Sequence, residues 1–308
     1  MNILVTGGAG FIGSHVADSF ILAGHHVIIL DNLSSGKFTN INPKATFIEG
    51  DIRDAALVEK VFSENAIDIV NHHAAQIDVR KSVTDPSNDA NINILGSLNL
   101  LEASRRHNIK RFIFASTGGA IYGEQDYFPA DELHPTRPES PYGITKRSVE
   151  LYLHYYNKVH GLDYTIFRYS NVYGPRQDPH GEAGVVAIFS NALLADKQAI
   201  IFGDGKQTRD YVFISDLVRA HLLAIENESG SNTYNIGTGI ETDVNTLFAI
   251  LAKEAGKDAK PRYDEARPGE LLRSVCSYQK VTKALGWQPE TNITEGLSRT
   301  FDFFRKKA

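Results

Sequence analysis

The chain opens on a short apolar run, residues 2 to 6 (NILVT), that stops at Gly7-Gly8-Ala9-Gly10-Phe11-Ile12-Gly13 and passes directly into helical spacing over residues 11 to 23. A strand that turns on glycines straight into a helix leaves few folds open. Gly7 permits the tight turn, Gly10 lets the backbone approach an anion, and Gly13 lets helix and strand pack closely. The helix N-terminus then offers unpaired N–H groups and the positive end of a dipole, which suit a pyrophosphate. A bare G-x-x-G-x-x-G also occurs in ordinary strand-to-helix loops. Its place between a strand and a helix favours the nucleotide reading.

The same alternation continues. Strand-like runs lie at 26 to 31 (HVIILD), 45 to 49, 67 to 71, 110 to 116 and 163 to 168, and helical stretches at 54 to 64, 87 to 107 and 141 to 160. Strands separated by helices imply crossover connections and a parallel sheet covered on both faces. After about residue 170 the alternation decays. Loop-like segments lie at 174 to 184, 202 to 210 and 265 to 274, with helices expected at 185 to 195, 215 to 226 and 243 to 256. The expected fold is α/β: a Rossmann-type doubly wound parallel sheet over residues 1–170, with a smaller mixed α/β substrate-binding lobe over 171–308. That boundary is soft, and segments can cross it.

Composition excludes several classes. Of 308 residues, 42% are apolar and 22% charged, enough to bury a sizeable core. A net charge of −5 without long single-sign runs argues against a nucleic-acid surface. The single cysteine rules out an internal disulfide and a cysteine-based zinc site. No apolar run approaches the ~18 residues of a membrane span. The chain start reads as a strand rather than a signal peptide, so a cytoplasmic protein is expected.

Asp31 ends the second strand, 18 residues after Gly13. A carboxylate there can accept both ribose hydroxyls of adenosine and repel a 2′-phosphate, which selects NAD over NADP; since Asp31-Asn32 precedes a Ser-Ser-Gly loop, the residue also reads as a helix or turn cap. Asp51, in GDIRD, either borders the adenine pocket or caps the helix starting near residue 54. Tyr142 and Lys146 form Y-x-x-x-K, on one face of a helix. An ammonium beside a phenol favours the phenolate, which can act as general base toward a sugar hydroxyl. Thr117 ends the fifth strand, where ligands bind in open parallel sheets; taken alone it reads as a turn residue. His25-His26 and His72-His73 sit on strands, where neighbours point to opposite faces, so no metal site is expected.

TGGAGFIGSH, Asp31-Asn32, the HHAAQ segment (72 to 76), STGGAIYGE (116 to 124), PYGITK (141 to 146) and RYSNVYGPRQ (168 to 177) together resemble the extended short-chain dehydrogenases/reductases of the NAD-dependent epimerase/dehydratase family. Within it the chain looks most like the enzymes that epimerise UDP-hexoses at C4. The resemblance spans nearly the whole sequence. It implies a tightly held NAD, a catalytic set of Thr117, Tyr142 and Lys146, and a homodimer packed through helices 87–107 and 141–160. It places Gly7, Gly10, Phe11, Ile12, Gly13, Asp31, Asn32, Asp51, Ile52, Ala74, Ala75, Gln76, Asn93, Ser116, Tyr142, Lys146 and Tyr169 around the cofactor. The UDP-sugar would meet Thr117, Tyr142, Asn171, Val185, Val186, Arg209, Arg267, Glu270 and Ser274. Two arginines suit a diphosphate, although each alone would read as a surface charge.

The implied activity is interconversion of UDP-glucose and UDP-galactose, in galactose metabolism, through a 4-keto sugar. Related dehydratases carry an Asp-Glu pair after the catalytic threonine. Here Gly118-Gly119-Ala120 follow Thr117, leaving no acid to eliminate water. A 4-epimerase of another sugar such as UDP-glucuronate, or a nucleotide sensor without chemistry, remain the alternatives. In the resemblance, Ser274 borders the sugar's C2 substituent. A small residue there would admit N-acetyl sugars, unless the loop collapses into the space or the alignment slips to Arg273 or Val275.

Overall fold

A computed structural model of the chain describes residues 1–179, 184–227, 230–267 and 271–307. Six strands alternate with helices through the first half: β1 (Asn2–Thr6), β2 (His26–Asp31), β3 (Thr46–Glu49), β4 (Ile69–His72), β5 (Arg111–Thr117) and β6 (Asp163–Tyr169). The second half adds β7 (Asn171–Tyr173), β8 (Ile200–Phe202), β9 (Thr208–Phe213), β10 (Asn232–Ile236), β11 (Glu241–Asp243), β12 (Arg262–Asp264) and β13 (Arg273–Ser274). A seven-stranded sheet runs β3-β2-β1-β4-β5-β6-β10, with every pairing parallel. This is the Rossmann-type α/β sheet expected from the sequence. β10 comes from the second half of the chain, so the sheet is completed by residues beyond 170.

Strand alternation sorts the core into two layers. Leu4, Ile28, Val70, Phe112 and Phe114 pack with Val58 and Phe62 of helix Ala55–Asn65, Leu100 of Gly96–Arg106, and Leu153 of Pro141–His160. Ile3, Val5, Ile29, Ile113 and Phe167 face Phe20 of helix Phe11–Leu22 and Leu217 and Ala220 of Ile214–Asn227. Each strand is apolar on both sides because both sides are covered.

In the lobe, β9 pairs in parallel with β7 and β13 and antiparallel with β11. Residues 202–210, expected as a loop, therefore contain the end of β8 and the start of β9. Within 265–274, likewise, Arg273–Ser274 form a strand. These short pieces are held by neighbours distant in sequence, which local pattern does not reveal. Helices Gln279–Leu285 and Ile293–Arg305 were not anticipated, although the Asn292 side chain accepts from Glu295 N, a cap spacing visible in the sequence. The stretch expected as one helix over 87–107 consists of Pro86–Ala90, a π turn over Asn91–Leu95, and Gly96–Arg106. A π turn inserts a residue that 3.6-residue periodicity does not register. The other expected elements begin and end within two residues of those observed.

Candidate active site

β1 and β4 are neighbours at the centre of the sheet, and the strand order runs outward from them in both directions. Such a switch point opens a crevice beyond the strand ends. The glycine turn occupies it. A Cβ on Gly7 would lie 2.6 Å from Ala74 N, and one on Gly13 would lie 2.3 Å from Gly7 O. Side chains are thus excluded at both positions, and bare backbone faces Ala74. Helix Phe11–Leu22 begins here with no side-chain cap on Gly10 and no acidic residue in its first turn. Its donors and dipole are left for an anion, so the cradle fits a dinucleotide pyrophosphate.

Asp31 stands at the neighbouring strand end. Its carboxylate accepts from Ala9 N (3.0 Å) and Leu33 N (2.8 Å), which fixes it beside the turn. Asn32 donates to Asp51 at 2.9 Å. Asp51 is gripped by Arg53 at 2.9 and 2.7 Å, and that contact holds its carboxyl far below the usual range. Of the two readings of Asp51, the helix cap is corrected: Asp54 caps Ala55–Asn65, accepting from Ala56 N and Leu57 N. Ile52 is buried beneath Gly96.

Gln76 N donates to Asn93 Oδ1 at 2.8 Å, and Asn93 Nδ2 returns a bond to Gln76 O at 3.0 Å. The π turn aims Asn93 at this exchange. Asp89, fully buried, accepts from Gln76, Asn93 and Thr145. This ties the segment after β4 to the helix that carries Tyr142. Ala75 is half-buried.

Helix Pro141–His160 starts with Pro141 in its first turn and the Ser140 side chain accepting from Gly143 N. A Cβ on Gly143 would lie 2.6 Å from Ala120 O, so the helix packs hard on the turn after Thr117. Thr117 closes β5, and its hydroxyl accepts from Ala120 N at 3.2 Å. Tyr142 is half-buried, and its backbone N–H donates to Ser82 Oγ. Lys146 is 4% exposed. Its ammonium donates to Ala115 O at 2.8 Å and lies 4.9 Å from the Phe114 ring centroid and 5.9 Å from that of Tyr142. Burial lowers the Lys146 pKa to about 8, against the opposing pull of Asp89 and Glu150. Thr117, Tyr142 and Lys146 thus meet at one strand end.

Ser116 turns the other way: its hydroxyl donates to Glu150 at 2.6 Å. Glu150 in turn pairs with buried Arg168 at 2.7 and 3.0 Å. Tyr169, in register with Thr117, points to the face opposite Ser116 and Glu150, with its phenol 2.6 Å from His221 Nε2. His72 and His73 diverge. His72 bonds Thr6 and Ser97, while the His73 ring lies 5.1 Å from that of His221. Among the described residues no group of three His, Cys, Asp or Glu is placed to hold a metal ion.

On the lobe side, a Cβ at Gly119 would lie 3.8 Å from Asn171 Oδ1 and 3.9 Å from Thr117 Oγ1. Asn171 therefore flanks the same small space as Thr117. Asn171 pairs with Tyr211 on β9, and two residues earlier Arg209 stands in register with Ser274. Ser274 is buried. Arg267 is exposed, its guanidinium 3.9 Å from the centroid of the Phe202 ring. Val185 is half-buried, but Val186 is sunk entirely in the core. Glu270 lies outside the described residues. Sequence reading missed Asp89, Glu150, Arg168 and His221. Only Glu150 had a local signal, one further helical turn along the face of Tyr142 and Lys146.

The model of the NAD-dependent epimerase/dehydratase family matches residues 3–237. The UDP-glucose 4-epimerase of Mycolicibacterium smegmatis is 43% identical over 313 residues, covering 100% of both chains. Among solved structures, the Thermotoga maritima UDP-glucose 4-epimerase with UDP-glucose is 51% identical, with a TM-score of 0.97 over 100% of this chain and 99% of that one. The Thermus thermophilus UDP-glucose 4-epimerase in complex with NAD is 44% identical, with a TM-score of 0.95 over 100% of both. With its glycine cradle, its Tyr142–Lys146 pair and likeness over its whole length, this chain belongs to the NAD-dependent epimerase/dehydratase family.

Proposed function

We propose that the protein is a UDP-hexose 4-epimerase that interconverts UDP-glucose and UDP-galactose, with NAD as its resident cofactor. The convergence of Thr117, Tyr142 and Lys146 beyond β5, with no acid after Thr117, carries this reading. NAD, when bound, supplies a hydride acceptor that is restored in each turnover. The glycine turn and the helix N-terminus hold its pyrophosphate, Asp31 its adenosine ribose, and Lys146 the nicotinamide ribose. Asn32, Asp51, Ile52, the 74–76 segment and Asn93 border it. Ser116, whose hydroxyl is taken by Glu150, contributes through its backbone.

Tyr142 accepts the sugar O4 proton as the hydroxyl is oxidised to the ketone, and returns it when the opposite face is reduced. The buried ammonium of Lys146 lowers the proton affinity of that phenol. Thr117 orients O4. Asn171, Arg209, Arg267, Glu270 and the start of the helix at Val185 hold the UDP group while the keto sugar turns over. A Cβ at Gly118 would meet Cys276 Sγ at 2.7 Å, so a carboxylate side chain there would require Cys276 to shift. The reading carries the cytoplasm as compartment, in keeping with a free Cys276 and with the lack, among the described residues, of any helix long and apolar enough to cross a membrane.

A panel of UDP-sugars tests the reading. The purified protein should release NAD on acid treatment and equilibrate UDP-glucose with UDP-galactose. Turnover of UDP-glucuronate alone would establish the other epimerase, and NAD without turnover of any sugar would indicate a sensor. Small Ser274 leads to the further expectation that UDP-GlcNAc and UDP-GalNAc interconvert too, and that Ser274→Tyr selectively removes the N-acetyl activity. Equal loss of both activities, measured as kcat/KM, would remove Ser274 from the gate.

The assembly we propose is a homodimer through Pro141–His160 and the 86–106 segment. Ile144, Leu151, Tyr155 and Val159 form an exposed stripe on that helix, with exposed Leu95 on the neighbouring segment. A stripe at helical spacing matches the seam of a helix pair packed against its copy. Leu151→Arg combined with Tyr155→Glu should sediment as a monomer where the parent sediments as a dimer.

A further inference from the structure

We propose that His221 is a positioning residue for the reaction: from the helix behind the sheet it ties the Tyr169 phenol to Asn71 and so fixes Tyr169, beside Thr117 in register, at the side of the cofactor where the family resemblance puts it. The proposal rests on the cofactor reading above. β4 and β6 flank β5, the strand that ends in Thr117. Asn71 lies on β4 and Tyr169 on β6. His221 reaches both, with Nδ1 2.9 Å from Asn71 Nδ2 and Nε2 2.6 Å from the Tyr169 hydroxyl. The three side chains are 0%, 7% and 0% exposed for Asn71, Tyr169 and His221. The bridge therefore passes behind β5, the strand that ends in Thr117.

The polarity of the bridge is set by its donors. Asn71 Nδ2 can only donate, so Nδ1 of the imidazole accepts and the ring proton sits on Nε2. His221 then donates to the Tyr169 oxygen. The phenol keeps its own hydrogen for a second acceptor. The rings of Phe167 and His73, centred 4.9 and 5.1 Å away, hold the imidazole in place. Burial keeps His221 neutral, and burial together with the nearby Tyr142 phenol raises the Tyr169 pKa. Tyr169 thus stays protonated.

Stability does not explain the arrangement. Among the described residues, Asn71 Oδ1 and His73 Nε2 have no hydrogen-bond partner although buried, a cost that apolar side chains of similar volume would not carry.

The test compares His221→Leu, Tyr169→Phe, the double variant and His221→Gln, with acid-released NAD per chain, kcat and KM, and Tm as readouts. His221→Leu and Tyr169→Phe should each lower kcat about tenfold or more and reduce retained NAD, in line with the cost of small misplacement. KM for the UDP-sugar should stay within about twofold, because other residues anchor UDP. The double variant should be no worse than the poorer single one, and His221→Gln, which keeps a donor, should recover part of the loss. Multiplying effects in the double variant, or a lowered Tm with kcat and NAD retention intact, would overturn the proposal. If the parent holds NAD yet turns over no UDP-sugar, the epimerase reading fails while NAD retention still tests the bridge. A parent that holds no NAD would remove both.

Discussion

Tyr142→Phe is expected to lower epimerase turnover by about 10²–10⁴, the usual contribution of a positioned general base. The ring stays, so the packing of the helix start on the turn after Thr117 stays, and UDP and NAD should bind nearly as before. Only the proton acceptor is lost. Lys146 cannot replace it, since its ammonium, donating to Ala115 O, carries no acceptor for a proton. The decisive comparison is kcat against KM and against NAD content. A fall in kcat with both others unchanged identifies an interaction made during the chemistry. Near-parental turnover would remove Tyr142 from the mechanism.

Arg168→Leu should cost about 3–5 kcal/mol of stability, the range for removing one partner of a buried ion pair. Arg168 and Glu150 are 4% and 2% exposed and share two hydrogen bonds. Arg168 also donates to Tyr122, which donates to Asn235 on β10. The arginine thus links β6, helix Pro141–His160 and the strand contributed by the second half of the chain. Its loss leaves Glu150 with Ser116 and the partly exposed Arg147. A drop in Tm of about 5–15 °C follows from the usual slope for a chain of this size. Arg168→Leu paired with Glu150→Leu should recover much of the loss, because the stranded charge is gone. A Tm within about 2 °C of the parent in the single variant would mean that the pair adds little.

Two kinds of information separate in this molecule. Asp31, the glycine turn and the Tyr142–Lys146 spacing were legible because each depends on neighbours close in the chain. A turn needs glycines in order, and a helix sets i and i+4 on one face. The alternation of apolar strands with helices likewise foretold a sheet covered on both faces. Asp51 marks the limit of such reading. Pattern allowed it two roles, and only the placement of Asp54, Arg53 and Asn32 decided that it caps no helix.

The sequence alone thus determined the local devices: the uncapped helix N-terminus at a bare-backbone turn, the carboxylate at the end of β2, and the phenol–ammonium pair. Tertiary structure decided what they meet. It inserted β10 beside β6, built a lobe sheet by laying β7, β11 and β13, each of two or three residues, against the six-residue β9, and drew Asn171 to the space beside Thr117. It also joined Asp89 to Gln76 and His221 to Tyr169 and Asn71. Those contacts join residues between 13 and 150 apart along the chain. Their formation depends on which strands become neighbours, and that choice rests on burial of the two core layers as a whole rather than on any local pattern.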